Sequence, residues 1–113
     1  MHEMSIALGI VRIAEEEVKK AKAHKVEVIE LLIGELSGVE KDALDFAWPV
    51  AVKETVLEHA KRKIQYVKGE AKCADCDTSF FLGSLYDECP NCKSYFRDIT
   101  SGKELKVIAL EVQ

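Results

Sequence analysis

The sequence predicts an α+β protein in which a small three-stranded sheet and two helices form one domain, interrupted by an inserted cysteine-rich segment. Three observations lead to this fold class. Apolar residues recur at helical spacing in two stretches, and three short runs of branched apolar residues are typical of strands. All four cysteines lie between Cys73 and Cys92. A chain of 113 residues has room for one ordinary domain and a small satellite.

The first predicted helix spans residues 4–23. Its apolar side chains follow one another in steps of three and four, which places them on one helical face. This face comprises Met4, Ala7, Leu8, Val11, Ala14, Val18 and Ala21. Ile6, Ile10 and Ile13 widen it, so we expect the first half of the helix to be the more buried. Lysines gather near its end, where a cation interacts favourably with the helix dipole.

A strand and a second helix follow. Residues 26–33, VEVIELLI, are rich in branched apolar residues and end at Gly34, which predicts a strand buried on both faces in its second half. The next helical pattern has Leu44, Ala47, Trp48 and Ala51 on one face. Pro49 should kink this helix or move its boundary, and Val56 and Leu57 could extend it.

Two further strands complete the predicted sheet. Residues 63–69, KIQYVKG, lead into the cysteines, and residues 103–112 alternate two sets of apolar side chains after a turn-like Ser101-Gly102. The order is therefore helix, strand, helix, strand, cysteine segment, strand. We expect both helices on one face of the sheet.

The cysteines follow the pattern C-x2-C-x12-C-x2-C. Two residues between paired cysteines let both thiolates of a tight turn point at one ion, and the longer spacer can form a hairpin that returns the second pair. Four thiolates favour tetrahedral zinc, with an iron–sulfur centre as the main competitor. Two disulfides, or two redox-active C-x-x-C motifs, are the remaining interpretation.

A zinc ion held by four protein sulfurs has no open position for water or substrate, so the site is interpreted as structural. The predicted ligands are Cys73, Cys76, Cys89 and Cys92. We expect residues 70–99 to form a zinc-ribbon domain. Residues 1–69 and 100–113 would form the α/β domain into which it is inserted.

Composition and charge exclude several classes of protein. The acidic start, Met1-His2-Glu3, lacks the basic region of a signal peptide, and the apolar runs are too short to span a bilayer. Reduced cysteines without such a signal predict a cytoplasmic protein. The net charge of −4 argues against nucleic-acid binding, which depends mostly on lysine and arginine.

The N-terminal triplet is a second candidate metal site. A histidine at position 2 lets the terminal amine, the His2 amide nitrogen and the imidazole close fused chelate rings around one divalent ion, and the Glu3 amide can complete a square plane. Such nitrogen-rich planar sites favour nickel(II) or copper(II). The alternative is a frayed terminus in which Glu3 supports the start of the helix electrostatically.

Three segments resemble the HypA/HybF family of nickel metallochaperones for [NiFe]-hydrogenase and, in some bacteria, urease. They are the opening MHEMSI, the stretch IGELSGV at residues 33–39 and the four-cysteine pattern, in the family's order. The resemblance covers essentially the whole chain. It implies transient nickel on Met1, His2 and Glu3, through the terminal amine, the imidazole and the backbone, and a structural zinc on the four cysteines.

The resemblance also implies partners. These would be a HypB-type nickel GTPase and the precursor of the hydrogenase large subunit, bound by a monomer or weak dimer with no membrane contact. Some urease-linked members carry a histidine directly after the second cysteine of each pair. Here these positions hold Asp77 and Lys93, which favours hydrogenase over urease.

Two other functions compete with nickel delivery, namely a zinc-ribbon adaptor and a nucleic-acid-binding module without a nickel role. Lysine and arginine at positions 61–63, with Lys68 and Lys72, support the nucleic-acid module. Residues 70–99 are nevertheless net acidic, which suits phosphate poorly. The chain has neither a visible catalytic set nor a glycine-rich phosphate loop, so we expect no enzymatic activity.

Overall fold

The computed structural model describes residues 2–113, and it confirms the predicted α+β fold class. Its elements are helices α1 (Glu3–Lys20) and α2 (Lys41–Val52) and strands β1 (Val26–Gly34), β2 (Lys61–Val67), β3 (Glu70–Cys73), β4 (Ser79–Phe81), β5 (Arg97–Ser101) and β6 (Leu105–Val112). The strands form two three-stranded sheets, in the orders β2-β1-β6 and β4-β3-β5. The first is the predicted sheet, and the second lies in the cysteine segment.

The described residues divide into two compact units. The helical unit comprises residues 2–31, Val39–Gln65 and Lys106–Gln113, and the cysteine unit comprises Leu32–Gly38 and Tyr66–Leu105. These limits follow backbone packing. The functional division predicted above, at residues 70 and 99, stays a prediction.

Helix α1 buries a stripe of its surface, and the stripe is narrower than the apolar pattern. The buried residues are Ala7, Ile10, Val11, Ala14 and Val18, whereas Met4, Leu8 and Ile13 are each more than a third exposed. The helix ends at Lys20, before the predicted residue 23. Its end is closed by hydrogen bonds from the N–H of Lys22 to the Lys19 carbonyl (3.1 Å) and of Ala23 to the Val18 carbonyl (3.0 Å). Lys22 has a φ of 54°, the left-handed conformation that stops a helix in this way.

Helix α2 contains Pro49 and still continues to Val52. Three helical residues follow the proline, so the helix continues past it although its ring removes the hydrogen bond to the Asp45 carbonyl. Val56 and Leu57 do not extend the helix, because the chain turns after Val52 and the Thr55 hydroxyl donates to the Val52 carbonyl at 2.7 Å. Leu57 is nevertheless fully buried, which explains its place in the apolar pattern.

Arg62 of β2 joins this strand to α2 within the helical unit. Its guanidinium lies 5.0 Å from the centre of the Trp48 ring and forms an ion pair with Asp45. The Arg62 side chain is therefore already in contact with residues of the helical unit, although in the sequence it lies in a basic stretch.

Strand β1 is the centre of the first sheet. Ile29, Leu31 and Ile33 are buried, whereas the alternate residues Glu30 and Leu32 are only half-buried, so burial is complete on one face. Strand β6 runs antiparallel to it, because hydrogen bonds join residues 25 with 113 and 34 with 104. Within residues 2–113, neither helix has the length and hydropathy that a bilayer-spanning helix requires.

The cysteine unit contains a close approach of two backbones at Gly34. A Cβ atom at this position would lie 1.9 Å from the carbonyl oxygen of Gly102, which itself has a φ of 107°. A backbone carbonyl cannot move away as a side-chain end can, so neither position tolerates a side chain. This contact gives a physical reason for Gly34 in the IGELSGV segment.

We expect Gly34→Ala to lower the free energy of unfolding by at least about 1–3 kcal/mol, the usual cost of overpacking. Gly9→Ala is the matched control, since a Cβ there meets nothing within 4 Å. In the middle of α1 this second change should stabilise the protein by up to about 1 kcal/mol. Denaturant titration of both variants measures the difference, and equal stabilities would contradict the close approach.

Candidate metal centre

The four cysteines lie on two turns with the same backbone structure, here called the first knuckle (Cys73–Thr78) and the second knuckle (Cys89–Ser94). In the first, the N–H of Asp77 donates to the Cys73 carbonyl (3.0 Å) and the N–H of Cys73 to the Thr78 carbonyl (2.9 Å). The second repeats both bonds, from Lys93 to Cys89 (2.9 Å) and from Cys89 to Ser94 (2.8 Å). Each turn thus holds its two sulfurs in the same relation.

The residue after the second cysteine of each knuckle adopts the left-handed conformation. Asp77 has a φ of 61° and Lys93 a φ of 66°. A residue with a β-carbon rarely takes this conformation, which costs of order 1–2 kcal/mol. Its occurrence at equivalent places shows that the knuckle itself requires it.

The four sulfurs converge. The Sγ atoms all lie within 4.8 Å of one another, with 3.6 Å between Cys73 and Cys92 and 3.7 Å between Cys76 and Cys89. A tetrahedral zinc with Zn–S bonds of about 2.3 Å separates its sulfurs by about 3.8 Å. A disulfide would need about 2.05 Å, and all four thiols are free. The donor set therefore fits a single tetrahedral ion.

The four sulfurs differ in burial. Cys73 and Cys89 are buried, Cys76 is half-buried, and Cys92 is exposed. The two buried cysteines pack with Ala71, Phe80 and Leu82, which together form the small hydrophobic core of the cysteine unit. Because two of these five core residues are cysteines, the core and the metal site are one structure.

The two less buried thiols also differ in acidity. Hydrogen bonds with the side chains of Asn91 and Thr78 lower the pKa of Cys76 to about 6. At Cys92 a hydrogen bond with the Ser94 backbone lowers the pKa, but desolvation and the neighbouring sulfurs outweigh it and raise the pKa to about 12. The opposite shifts mean that a thiolate at Cys76 disfavours a second one at Cys92, since thiolates repel one another. A dication removes this repulsion, so the chemistry of the site also fits a metal.

Sequence reasoning missed Asn91 and Thr78 as parts of this site. The Asn91 side-chain nitrogen donates to Cys76 Sγ at 3.5 Å, and Thr78 Oγ1 lies 3.2 Å from the same sulfur. Their positions could have indicated this role, because Asn91 lies within a C-x-x-C motif and Thr78 lies two residues after one. Side chains in such turns lie close enough to contact the sulfurs.

The N-terminal candidate site is only partly described, since Met1 lies outside residues 2–113. His2 is exposed and precedes α1, with an extended backbone (φ −87°, ψ 92°). Its carbonyl accepts a hydrogen bond from the Ile6 N–H at 3.2 Å. Glu3 is the first residue of α1, and its carboxylate accepts from the Glu40 N–H at 3.4 Å. His2 is thus exposed directly before the helix, and Glu3 is half-buried in its first turn.

The other histidines lie outside the cysteine cluster. The His59 imidazole is largely exposed and contacts the Glu58 carboxylate at 3.3 Å. The backbone N–H of His24 donates to the Gln113 carbonyl at 2.7 Å. Among residues 2–113, the four cysteines are the group whose ligand atoms meet at metal-binding distance.

The fold and the site define a class of protein, a small α+β protein with a four-cysteine metal centre in a separate unit. The family described as "Hydrogenase/urease nickel incorporation, metallochaperone, hypA" matches residues 1–112, and the chain belongs to it. This confirms the resemblance seen in the sequence. The family is one of metallochaperones and not of enzymes.

Individual relatives agree in length as well as sequence. The "Hydrogenase maturation factor HypA" of Parabacteroides distasonis is 44% identical over 113 residues, which cover 100% of this chain and 98% of the relative. That of Roseiflexus sp. is 43% identical over 114 residues, covering 100% and 93%. The solution structure of the Ni metallochaperone HypA from Helicobacter pylori superposes with a TM-score of 0.70 at 33% identity, covering 99% of this chain and 97% of that one.

We predict that Cys73→Ala removes the metal and disorders the cysteine unit. Metal binding to such sites is coupled to folding and supplies on the order of 10 kcal/mol, more than this small core can replace. The helical signal of α1 and α2 in circular dichroism should persist. Lys72→Ala, an exposed change on the same strand, is the control. Full metal content with native-like NMR signals for residues 66–105 in Cys73→Ala would disprove the coupling.

Proposed function

We propose that this protein binds Ni(II) at its N-terminus and delivers it during maturation of [NiFe]-hydrogenase, while the four cysteines hold a structural zinc. The observation that carries the proposal is family membership over residues 1–112, with relatives named as hydrogenase maturation factors over the full length of the chain. The exposed His2 supports the nickel site, and the converging sulfurs support the zinc site.

The proposed nickel ligands are the terminal amine of Met1, the His2 imidazole, and the backbone nitrogens of His2 and Glu3. In an α-helix the first four N–H groups have no acceptor within the helix. Glu3 is the first residue of α1, and the bond from Ile6 to the His2 carbonyl comes later in the chain. The amides of His2 and Glu3 can therefore lose their protons to a metal without breaking the helix.

The Glu3 carboxylate is not among these ligands. It accepts a hydrogen bond from the N–H of Glu40, the residue that precedes α2. The proposed site is consequently made of nitrogen, and four nitrogens in a plane suit nickel(II) better than tetrahedral zinc. The protein thus separates its two metals by ligand chemistry, with nitrogen for the cargo and sulfur for the structural ion.

The residues of the cysteine cluster fit zinc, which would hold the two knuckles together and offer no vacant position for chemistry. Iron is the competitor for four thiolates. Elemental analysis of the purified protein distinguishes them. About one zinc per chain with negligible iron supports the proposal, and iron at this level would replace the zinc assignment.

Delivery requires partners that accept or process nickel. We propose a HypB-type nickel GTPase and the precursor of the hydrogenase large subunit. Asp77 and Lys93 stand where some urease-linked members have histidines, so we place the protein on the hydrogenase route. Thiolate ligation requires reduced cysteines, which a cytoplasmic location provides.

A nucleic-acid-binding module is the second candidate, and exposed aromatic rings favour it, since bases stack on such rings. In the cysteine unit, Phe81, Tyr86, Tyr95 and Phe96 are 70%, 86%, 61% and 74% exposed. Acidic residues share this unit and repel phosphate. Arg62, in the helical unit, is already paired with Asp45.

We expect no salt-sensitive binding of DNA or RNA by the metal-loaded protein. The physical reason is the net acidic charge of residues 70–99, which opposes phosphate contacts. Fluorescence anisotropy with labelled single-stranded and duplex oligonucleotides at two salt concentrations measures it. Submicromolar binding at physiological salt that weakens steeply with added salt would favour the second candidate.

Adding one glycine before Met1 should weaken nickel binding about as severely as His2→Ala. The extension leaves every side chain intact but moves the amine out of its chelate ring. Glu3→Ala is the matched control, because it removes the carboxylate and keeps the backbone nitrogen. Calorimetric nickel titration of untagged, zinc-loaded protein compares the three, and zinc content should be equal in all.

Nickel affinity should also fall on acidification, because imidazole and amide nitrogens bind metal only when deprotonated. The complex should be diamagnetic and yellow, as expected for a square plane. Undiminished binding by the glycine-extended protein would refute the terminal site. A loss of nickel binding in Glu3→Ala equal to that in His2→Ala would instead indicate a carboxylate ligand.

A further inference from the structure

The two knuckles are equivalent in backbone but not in side chains. Their matching hydrogen bonds align the C-x-x-C segments residue by residue. In this alignment Cys76 corresponds to Cys92, Asp75 to Asn91, and Thr78 to Ser94. These two pairs of polar residues are the ones whose side chains can form hydrogen bonds near Cys76 and Cys92.

The Cys76 sulfur has a side-chain hydrogen-bond partner in each knuckle. Asn91, in the second knuckle, donates to it across the cluster at 3.5 Å. Thr78, two residues further along its own knuckle, lies at 3.2 Å through its hydroxyl oxygen. Hydrogen bonds to a thiolate disperse its negative charge and reduce its reactivity towards protons and electrophiles.

The Cys92 sulfur is denied the equivalent bonds by a single change of residue type. Asp75 stands where the pattern would place a second asparagine, and an ionised carboxylate has no hydrogen to donate. Asp75 instead accepts the hydroxyl hydrogen of Ser94. A hydroxyl has one hydrogen, so Ser94 cannot also give it to Cys92, as Thr78 can to Cys76.

The exposure of the cysteine residues also distinguishes Cys92 from Cys76. Cys73 and Cys89 are buried and Cys76 is half-buried, whereas Cys92 is exposed. The sulfur that lacks both side-chain donors therefore belongs to the most exposed of the four cysteine residues.

We propose that the zinc centre opens at Cys92, and that Asp75 makes this sulfur the labile ligand while Asn91 and Thr78 retain Cys76. The inference rests on the proposed zinc and adds the order in which the ligands leave. Second-sphere hydrogen bonds of this kind commonly change metal retention by about 10- to 100-fold. Asp75 and Asn91 act through the sulfurs and are positioning residues.

The test uses full-length, zinc-loaded protein and a limiting amount of N-ethylmaleimide. Peptide mass mapping identifies the first cysteine alkylated, and a chromogenic chelator follows zinc release. We expect alkylation to begin at Cys92. Asp75→Asn supplies a donor and frees the Ser94 hydroxyl, so it should slow both alkylation of Cys92 and zinc release by about 10-fold.

Asn91→Asp is the reciprocal change. It removes the donor to Cys76, and early alkylation should then include Cys76 while zinc release accelerates. Asp77→Asn is the matched control for charge, since it removes one carboxylate from the first knuckle at a residue outside these bonds and keeps a residue type that tolerates a positive φ. Zinc release from this control should stay close to that of the native protein.

Alkylation that begins at Cys76, or at all four cysteines equally, would overturn the inference and leave the zinc assignment intact. So would an Asp75→Asn variant that releases zinc as fast as Asp77→Asn. Zinc content measured beforehand distinguishes a failure of the zinc assignment from a failure of the proposed order of ligand loss. Protein purified without zinc would overturn the zinc assignment and this inference together.

Discussion

The convergence of four sulfurs is the interaction on which the cysteine unit depends. Two knuckles with the same hydrogen bonds bring Sγ atoms to 3.6 and 3.7 Å in facing pairs, close to the edge of a zinc tetrahedron. Thiolates at this distance repel one another unless a cation lies between them. Since Cys73 and Cys89 are also part of the small core, an ion bound there would replace the hydrophobic packing that a segment of this size cannot provide.

The helical unit is stabilised differently. Its core is made of aliphatic and aromatic side chains on one face of α1, one face of α2 and the buried side of β1. His2, directly before α1, is exposed and lies outside this core. The proposed structural metal on side chains and the proposed transient metal on backbone nitrogens would place opposite demands on a fold, and the proposal assigns them to different parts of the sequence.

The two knuckles have the same backbone structure but different polar side chains, and this changes the hydrogen bonding of their sulfurs. The knuckles share backbone bonds and left-handed residues, yet one carries Asn91 and the other Asp75. Amide and carboxylate are similar in size but differ in whether they can donate a hydrogen bond. One sulfur thereby has side-chain hydrogen-bond partners in both knuckles, while its counterpart belongs to Cys92, the most exposed of the four cysteines.

The sequence by itself determined the element order, the fold class and the family, because helical spacing, branched apolar runs and C-x-x-C motifs are local patterns. It also predicted four sulfurs in one cluster, since the spacing permits little else. Only the tertiary structure decided which apolar residues are buried, as with the exposed Leu8 and the buried Leu57, because burial depends on what lies opposite. The close approach of Gly34 to Gly102 and the bond from Asn91 to Cys76 belong to the same group. Each joins residues far apart in the chain, and a distance across space leaves no periodic signal in a sequence.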